Sequence, residues 1–315
     1  MTTIPAPRHL QRIICRCWAL TLVAIVMTAM MLPRVWCAPE PPPTDAIERV
    51  DGGVINWSNG TLHAVGISSP QAIGDTAGGI PERVLMGAKA NAVERLLHTA
   101  RQVRIRSDLT IGGAMDGAPR VAAEFKALLQ NLPVANQRYL SDGTAEIEMM
   151  LPLYSGPAQL LLPDDIRQVQ PIMAIAPSPP PAPESTPPPA PTAAPSPKQR
   201  PYTGWVLDAR GTGARAAMSI AVRDESGRTV YGSAFVSREF AVHAGMSGYS
   251  AVMDPAAAAA RVGALPMTTR VLRAVGETRC DLVVSNADAA RLRSAVAHLA
   301  FLRECRVLVV LDPQP

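Results

Sequence analysis

The sequence predicts an α+β protein of two small domains, an antiparallel sheet with two helices followed by a mixed sheet with a C-terminal βαβ unit. Apolar residues alternate as in strands in some segments and recur at helical spacing in others, on both sides of one proline-rich stretch. That stretch contains thirteen prolines from Pro171 to Pro201. Proline fixes φ and lacks a backbone donor. We therefore expect domains at residues 45–172 and 202–313, joined by a disordered Pro-rich linker at 173–201 that sets their separation as a polyproline II spacer.

The first 37 residues are predicted to be an export signal peptide. Basic residues come first, at Arg8, Arg12 and Arg16. The apolar run at 17–32 follows, and its 16 residues are fewer than the roughly 20 that a membrane-spanning helix needs. We therefore expect an exported protein of the periplasm or cell envelope of a Gram-negative bacterium.

Cleavage of the signal is predicted between Cys37 and Ala38, where small residues stand. Two alternatives associate the protein with a membrane. One is lipidation of Cys37, although Arg34, Val35 and Trp36 differ from the small residues that usually precede a lipidated cysteine. The other is an uncleaved N-terminus that serves as an anchor.

The positive charge of the chain belongs to the signal region. The chain has 30 Lys+Arg and 26 Asp+Glu, and four arginines precede Glu40, so their removal leaves 26 basic and 26 acidic residues. The exported part is therefore neutral. We expect no nucleic-acid partner, because a basic surface is the usual mark of one.

The first domain is predicted to begin with a hairpin that a helix covers. Two apolar runs within residues 53–67 are separated by Ser58, Asn59 and Gly60. An Asn-Gly pair favours a tight turn because both residues accept positive φ. Residues 80–100 then place apolar side chains at helical spacing.

The rest of the first domain is predicted to contain a strand, a helix and a second hairpin. The strand covers residues 103–111 and the helix covers 121–132. The hairpin joins 137–140 to 145–153 through a Ser-Asp-Gly turn. In its last strand, alternation places two glutamates on the face opposite the apolar side chains.

Residues 45–155 resemble a known group of envelope proteins. The segments that carry the resemblance are GVINWSNGTLHAVGISSP, ERVLMGAKANAVERLL and SDGTAEIEMMLPL. They are similar to the twenty-kilodalton envelope lipoprotein family and to the N-terminal domain of flagellar assembly protein T. The resemblance implies an exported envelope protein whose first domain packs two helices on an antiparallel sheet. It implies no catalytic residues.

The second domain is predicted to alternate short strands with helices. The strands are at residues 204–208, 217–223, 229–231, 269–276, 282–285 and 307–311. Two helices begin after Ser237 and Asp254, and a third covers 287–302. The segments YTGWVLDARG, VSREFAVHAGMSGY and FLRECRVLVVLD resemble the C-terminal half of uncharacterised exported bacterial proteins, and this resemblance implies no activity.

Two cysteines remain in the exported part, Cys280 and Cys305. Each precedes a predicted buried strand and a helix lies between them, so a βαβ unit would place them at equivalent ends of parallel strands. Neighbouring strands would bring the two cysteines within bridging distance for a disulfide. One intervening strand would keep them too far apart.

Two strand ends are candidate ligand-binding sites. Ser285, Asn286 and Asp288 stand where a buried strand meets a helix, and backbone donors at a helix N-terminus bind anions. The alternative is that these residues cap the helix and complement its dipole. Asp208 and Arg210 begin the segment DARGTG, which suits either a glycine-rich binding loop or a turn held by ion pairs.

Other reactive groups form no recognisable catalytic or metal-binding pattern. The histidines after the signal are His63, His98, His243 and His298. No two of them have the spacing of zinc ligands, and no candidate serine (Ser219, Ser237, Ser285) lies in a nucleophile motif. The aromatic residues considered for sugar stacking are Trp57, Tyr139, Trp205 and Tyr249. Core packing is the commoner use of aromatics in strands, and we expect no metal or cofactor.

The sequence as a whole favours a non-enzymatic scaffold or interaction protein that contacts other envelope proteins, at the outer membrane or in flagellar assembly. The alternative is a second domain that binds or hydrolyses a small ligand at the strand ends of Asp208 and Ser285. A pocket that joined these residues to His243 would favour the alternative.

Overall fold

The computed structural model describes residues 44–73, 80–162, 166, 201–294 and 296–313. The predicted signal peptide, its Cys37–Ala38 cleavage point and residues 173–200 of the predicted linker lie outside the described residues. The described part mixes helices and sheets, which confirms the α+β class. None of its helices is long and apolar enough to cross a membrane.

The first part of the chain forms a five-stranded antiparallel sheet. Its strands are β1 (Ile47–Val50), β2 (Gly53–Asn56), β3 (Thr61–Ser68), β6 (Val134–Tyr139) and β7 (Ala145–Pro152), in the order β1-β2-β3-β7-β6. The predicted hairpin is confirmed, since β2 and β3 pair antiparallel. The predicted alternation of β7 is also confirmed, because Ala145, Ile147, Met149 and Leu151 are buried. The sequence prediction missed β1.

One long helix covers a single face of this sheet. The short α1 (Pro70–Ile73) precedes α2 (Ile80–Arg101), whose buried face consists of Val84, Ala88, Ala92, Leu96 and Ala100. These positions have helical spacing, as the sequence predicts. The helix approaches β3 closely at Gly66, where a Cβ would clash with the backbone of Ala88 and Ala92.

The predicted strand at residues 103–111 is interrupted after Arg106 and is wrong at its end, Ile111. The chain forms two short strands, β4 (Arg104–Arg106) and β5 (Leu109–Thr110), and then enters α3 (Ile111–Gly117). The Thr110 hydroxyl caps α3 by accepting from the Gly113 amide. The second predicted helix is present as α4 (Pro119–Gln130), and a short α5 (Gly156–Leu161) follows β7.

The second part of the chain contains two four-stranded sheets. Its strands are β8 (Gly204–Asp208), β9 (Val222–Asp224), β10 (Thr229–Tyr231), β11 (Gly248–Ser250), β12 (Pro266–Arg270), β13 (Arg273–Val275), β14 (Asp281–Val284) and β15 (Val307–Val310). Its helices are α6 (Arg238–Ala244), α7 (Pro255–Val262), α8 (Asn286–Arg293) and α9 (Val296–Arg303), with a 3₁₀ turn at Ser233–Phe235. One sheet is parallel, in the order β11-β15-β8-β12, and the other is mixed, in the order β10-β9-β14-β13.

Three expectations for the second part differ from the structure. The predicted strand at 269–276 is two strands, β12 and β13, which lie in different sheets. The predicted helix at 287–302 is the two helices α8 and α9. Of the predicted strand at 217–223, only the end is in β9, because Met218 and Ser219 instead donate backbone hydrogen bonds to the carbonyls of β4.

The two parts pack directly against each other. The Ser155 amide donates to the Val242 carbonyl at 2.7 Å, and Trp57 meets Tyr249 edge to face with ring centroids 5.7 Å apart. The Tyr154 ring lies against Gly60 of the first part and Gly245 of the second, where a Cβ would clash with it. One hydrophobic core runs through both parts. The separation of the parts is therefore set by direct packing, which corrects the expectation that the linker sets it.

Candidate functional site

The loop after β8 is held by an ion pair and by backbone hydrogen bonds to one of the protein's own carboxylates. Arg210 donates from Nε and Nη2 to the Asp208 carboxylate, each at 2.8 Å, and these bonds lower the pKa of Asp208. The Gly211 amide donates to both carboxylate oxygens of Asp312, at 2.9 and 3.0 Å. A glycine-rich loop binds anions through such amides. Here Asp312 occupies the place of the anion, and the geometry is that of a turn.

The predicted anion site at the start of α8 is occupied in the same way. The Ser285 hydroxyl accepts from the Asp288 amide at 3.0 Å and donates to the Asp288 carboxylate at 2.8 Å. The Asn286 amide donates to Glu225 Oε2 at 2.9 Å. These contacts are those of a helix cap, so the structure supports the capping interpretation of Ser285, Asn286 and Asp288.

The two strand ends belong to different sheets. Asp208 ends β8 of the parallel sheet, and Ser285 follows β14 of the mixed sheet. The hydrogen bonds of the described residues do not join Asp208 or Arg210 to Ser285, Asn286 or Asp288. Each strand end is therefore held by its own internal partners.

The histidines take structural positions or line an open surface. His298 is buried, its Nδ1 lies 2.9 Å from the Leu292 carbonyl, and its ring packs against those of Tyr202 and Phe301. His243 is exposed on α6, in a broad groove of about 600 Å³ with Gln159, Arg238, Glu239 and Val242. That groove contains neither Asp208 nor Ser285, so the pocket that would favour a ligand-binding second domain is not formed there.

The candidate serines and aromatic residues are largely internal. Ser219 and Ser237 are buried, and no hydrogen bond between the described residues joins a candidate serine to a histidine side chain. Trp57, Trp205 and Tyr249 are buried as well, which leaves Tyr139, at 53 % exposure, as the aromatic candidate at the surface. Within the described residues, no three His, Cys, Asp or Glu side chains form a group that would hold a metal.

The two cysteines are buried free thiols. Cys280 precedes β14 and Cys305 precedes β15, and these strands belong to different sheets. The two strands are therefore not parallel neighbours in one sheet, which is the arrangement that a disulfide between these cysteines was expected to use. Burial raises the pKa of both thiols, for Cys305 to about 11, so neither is an activated nucleophile at neutral pH.

A buried cluster of charges joins the two parts, and the sequence prediction missed it. Glu48 of β1 accepts two bonds from Arg104 of β4, one from Nη1 at 3.0 Å and one from Nη2. Trp57 Nε1 donates to the same carboxylate at 2.9 Å, and Arg215 Nη2 donates to it from the second part at 2.6 Å. Arg104 Nε also donates to the Ala216 carbonyl at 2.7 Å. The cluster therefore links β1 and β4 of the first part to Arg215 and Ala216 of the second part.

Electrostatics within this cluster favour the ionised state. Burial by itself raises the pKa of Glu48, but the hydrogen bonds and charge of Arg104, with smaller contributions from Trp57 and Arg215, outweigh it, and the net pKa is lowered. The side chains of Glu48 and Arg104 are each 6 % exposed, whereas that of Arg215 is 48 % exposed. Because its partners are up to 167 residues apart in the chain, no local motif signals this cluster.

The face of the first sheet opposite α2 is open. We define the open face by His63, Val65 and Ile67 of β3 and Glu146, Glu148 and Met150 of β7. Three large apolar side chains are exposed on it, Val65 at 36 %, Ile67 at 47 % and Met150 at 40 %. Alternation along β3 and β7 sends these residues away from the core.

The glutamates of the open face have hydrogen-bond partners on the same surface. His63 Nδ1 lies 3.1 Å from Glu148 Oε1, and Arg138 of β6 donates to Glu146. Both pairs are partly solvated, so they contribute little to stability. The exposed apolar side chains of β3 and β7 lie between these polar pairs, and such a surface can bind another protein.

Comparison with known proteins concerns the second part of the chain. No curated protein matches the chain. A family model does match, but outside residues 45–155, so it lends no support to the resemblance of that region to the envelope lipoprotein family. The model is described as the second domain of Treponema pallidum Tp0624 and covers residues 204–313, so this part of the chain is similar to a domain of a bacterial protein.

Proposed function

We propose that this protein is a non-enzymatic, exported protein of the bacterial periplasm or cell envelope that works by binding other proteins. The observation that carries the proposal is the open face, where Val65, Ile67 and Met150 are exposed together on the neighbouring strands β3 and β7. The N-terminal sequence supports export. The resemblance of residues 45–155 extends the proposal to a place at the outer membrane or in flagellar assembly.

The state of the reactive groups supports a binding role over a catalytic one. Asp312 and Glu225 accept from the two sets of backbone donors that an anionic ligand would use. Asp208 is paired with Arg210, and the buried His298 is held by a backbone carbonyl. A ligand at either strand end would have to displace one of these internal contacts.

The open face offers apolar surface to a partner without a large charge penalty. Burying the remaining exposed part of Val65, Ile67 or Met150 would contribute about 1 kcal/mol for each side chain, roughly half the value for complete burial. Glu146 is paired with Arg138, and Glu148 is hydrogen-bonded to His63 on the same face. A partner would therefore not need to supply a new hydrogen-bond donor to either carboxylate.

Site-specific photocrosslinking in intact cells tests this proposal. A photoreactive amino acid at Ile67 or Met150 is expected to form crosslinks to a discrete envelope protein, identified by mass spectrometry. The same amino acid at Lys126, exposed on α4 on another surface, is the matched control and is expected to form no such product. Equal yields from all three positions, or none from the open face, would overturn the proposal.

A further inference from the structure

We infer that the edge strand β12 binds an extended, acidic segment of another protein by adding it as a further strand. The inference rests on the proposed function, because it names the chemistry of one partner. Within the described part of the chain, β12 ends the parallel sheet and β13 ends the mixed sheet. Only Val271 and Leu272 separate the two strands, so the chain passes directly from one sheet edge to the other.

The backbone of β12 has donors and acceptors directed away from its sheet. β12 pairs with β8 in parallel, in register from Pro266 with Gly204 to Arg270 with Asp208. The Val271 amide donates inward to the Asp208 carbonyl at 2.8 Å. Because inward bonding alternates along a parallel strand, the amide and carbonyl groups of Thr268 and Arg270 face outward. An exposed row of this kind is a template for another strand.

The side chains along this edge define the kind of segment that fits. Leu265 is 46 % exposed and Leu272 is 47 % exposed, at the two ends of β12. Arg270 and Arg273 are exposed, and residues 265–275 contain no acidic side chain. The edge therefore combines outward backbone groups with two apolar contacts and two positive charges, which is complementary to an extended segment of alternating acidic and apolar residues.

Charge also distinguishes this partner from a second copy of the same chain. A second copy of β12 would bring two further arginines and no acidic side chain to this edge, since residues 265–275 contain none. Like charges across neighbouring strands are destabilising. An acidic segment reverses the sign of that interaction.

Fluorescence anisotropy with the full-length protein and a labelled decapeptide of alternating valine and glutamate tests the inference. The T268P variant removes an outward amide that no described strand uses, so its fold should survive, as circular dichroism will check. We expect T268P and the double variant R270E/R273E each to bind the peptide at least tenfold more weakly. The K126E control reverses one charge on α4, where the double variant reverses two, and should stay within twofold of the unaltered protein.

Two further peptides separate strand addition from simple charge attraction. A peptide with lysine in place of glutamate should not bind. The acidic peptide with alternate N-methylated amides, which keeps the charge but cannot form a ladder, should bind at least tenfold more weakly. Equal binding of the N-methylated peptide, unchanged binding by T268P, or no binding by the unaltered protein would overturn the inference. None of these outcomes affects crosslinking from Ile67, so the two proposals fail separately.

Discussion

Arg104 provides the sharpest test of how the two parts of the chain are held together. Its guanidinium bonds Glu48 twice, donates to the Ala216 carbonyl and lies 5.6 Å from the centroid of the Trp57 ring. The substitution Arg104→Met keeps most of the side-chain length but removes the charge. Glu48 is then left buried with Trp57 and the half-exposed Arg215 as its partners.

The expected cost follows from the burial of the pair. Removing one partner of a buried ion pair usually costs about 3–5 kcal/mol, because the other charge stays in a poorly solvated place. Removing both partners together costs less than the sum, since no uncompensated charge remains. In a double-mutant cycle with Glu48→Met, we therefore expect a coupling free energy of at least about 2 kcal/mol.

Urea denaturation at pH 7, followed by tryptophan fluorescence and circular dichroism, measures these free energies of unfolding. Arg215→Met is the matched control, because it removes a bond to the same carboxylate from a side chain that is 48 % exposed. Such a partly solvated pair contributes only about 0–1 kcal/mol. The reasoning is refuted if Arg104→Met costs less than about 1 kcal/mol or no more than Arg215→Met, or if the cycle is additive.

Three further predictions follow from single groups. The pKa of Glu48 is lowered from 4.5, so its ionised form stabilises the fold above about pH 4.5, and this contribution is lost as the pH falls through the lowered pKa. The urea midpoint of Glu48→Gln should therefore decline less between pH 7 and pH 3 than the midpoint of the unaltered protein. A parallel decline of the two midpoints would contradict the lowered pKa of Glu48. Gly245→Ala would place a Cβ 2.5 Å from the Tyr154 ring, at a residue with φ +74. In urea denaturation it should lower the free energy of unfolding more than Gly227→Ala, whose residue has φ +82 and open space around the new Cβ. Equal effects of the two variants would mean that the Tyr154 contact is unimportant. Cys305, buried with a pKa of about 11, should resist iodoacetamide at pH 8 until the protein is unfolded, as peptide mass spectrometry would show, and rapid labelling or a Cys280 bridge in the native protein would refute this.

Elements with a clear local pattern were predicted well. The hairpin of β2 and β3, the helix α2 and the alternation of β7 each depend on neighbours within one turn or one strand. The strand predicted at 103–111 failed at its end because Thr110 caps a helix that begins at Ile111, and capping competes with strand alternation. The local hydrophobic period alone could not decide whether the strand continues through Ile111 or a helix begins there.

The candidate sites show a different limit of sequence reasoning. Ser285 and Asp288 were located correctly at a strand-to-helix junction, and their capping role is local. Asn286, however, bonds Glu225, which is 61 residues away, and Gly211 bonds Asp312, which is 101 residues away. Whether such a junction binds a ligand or one of the protein's own carboxylates depends on these distant partners.

The sequence by itself determined the α+β class, the positions of most helices and strands, and the buried faces of α2 and β7, because hydrophobic period and capping act over a few residues. Only the tertiary structure decided that β14 and β15 belong to different sheets, that Glu48 and Arg104 meet Arg215, and that the two parts share one core. These outcomes depend on contacts between residues far apart in the chain. Such contacts form where buried charges pair and apolar surfaces pack together. Neither the spacing of residues within a segment nor a proline-rich stretch between segments shows which distant residues will pair or pack.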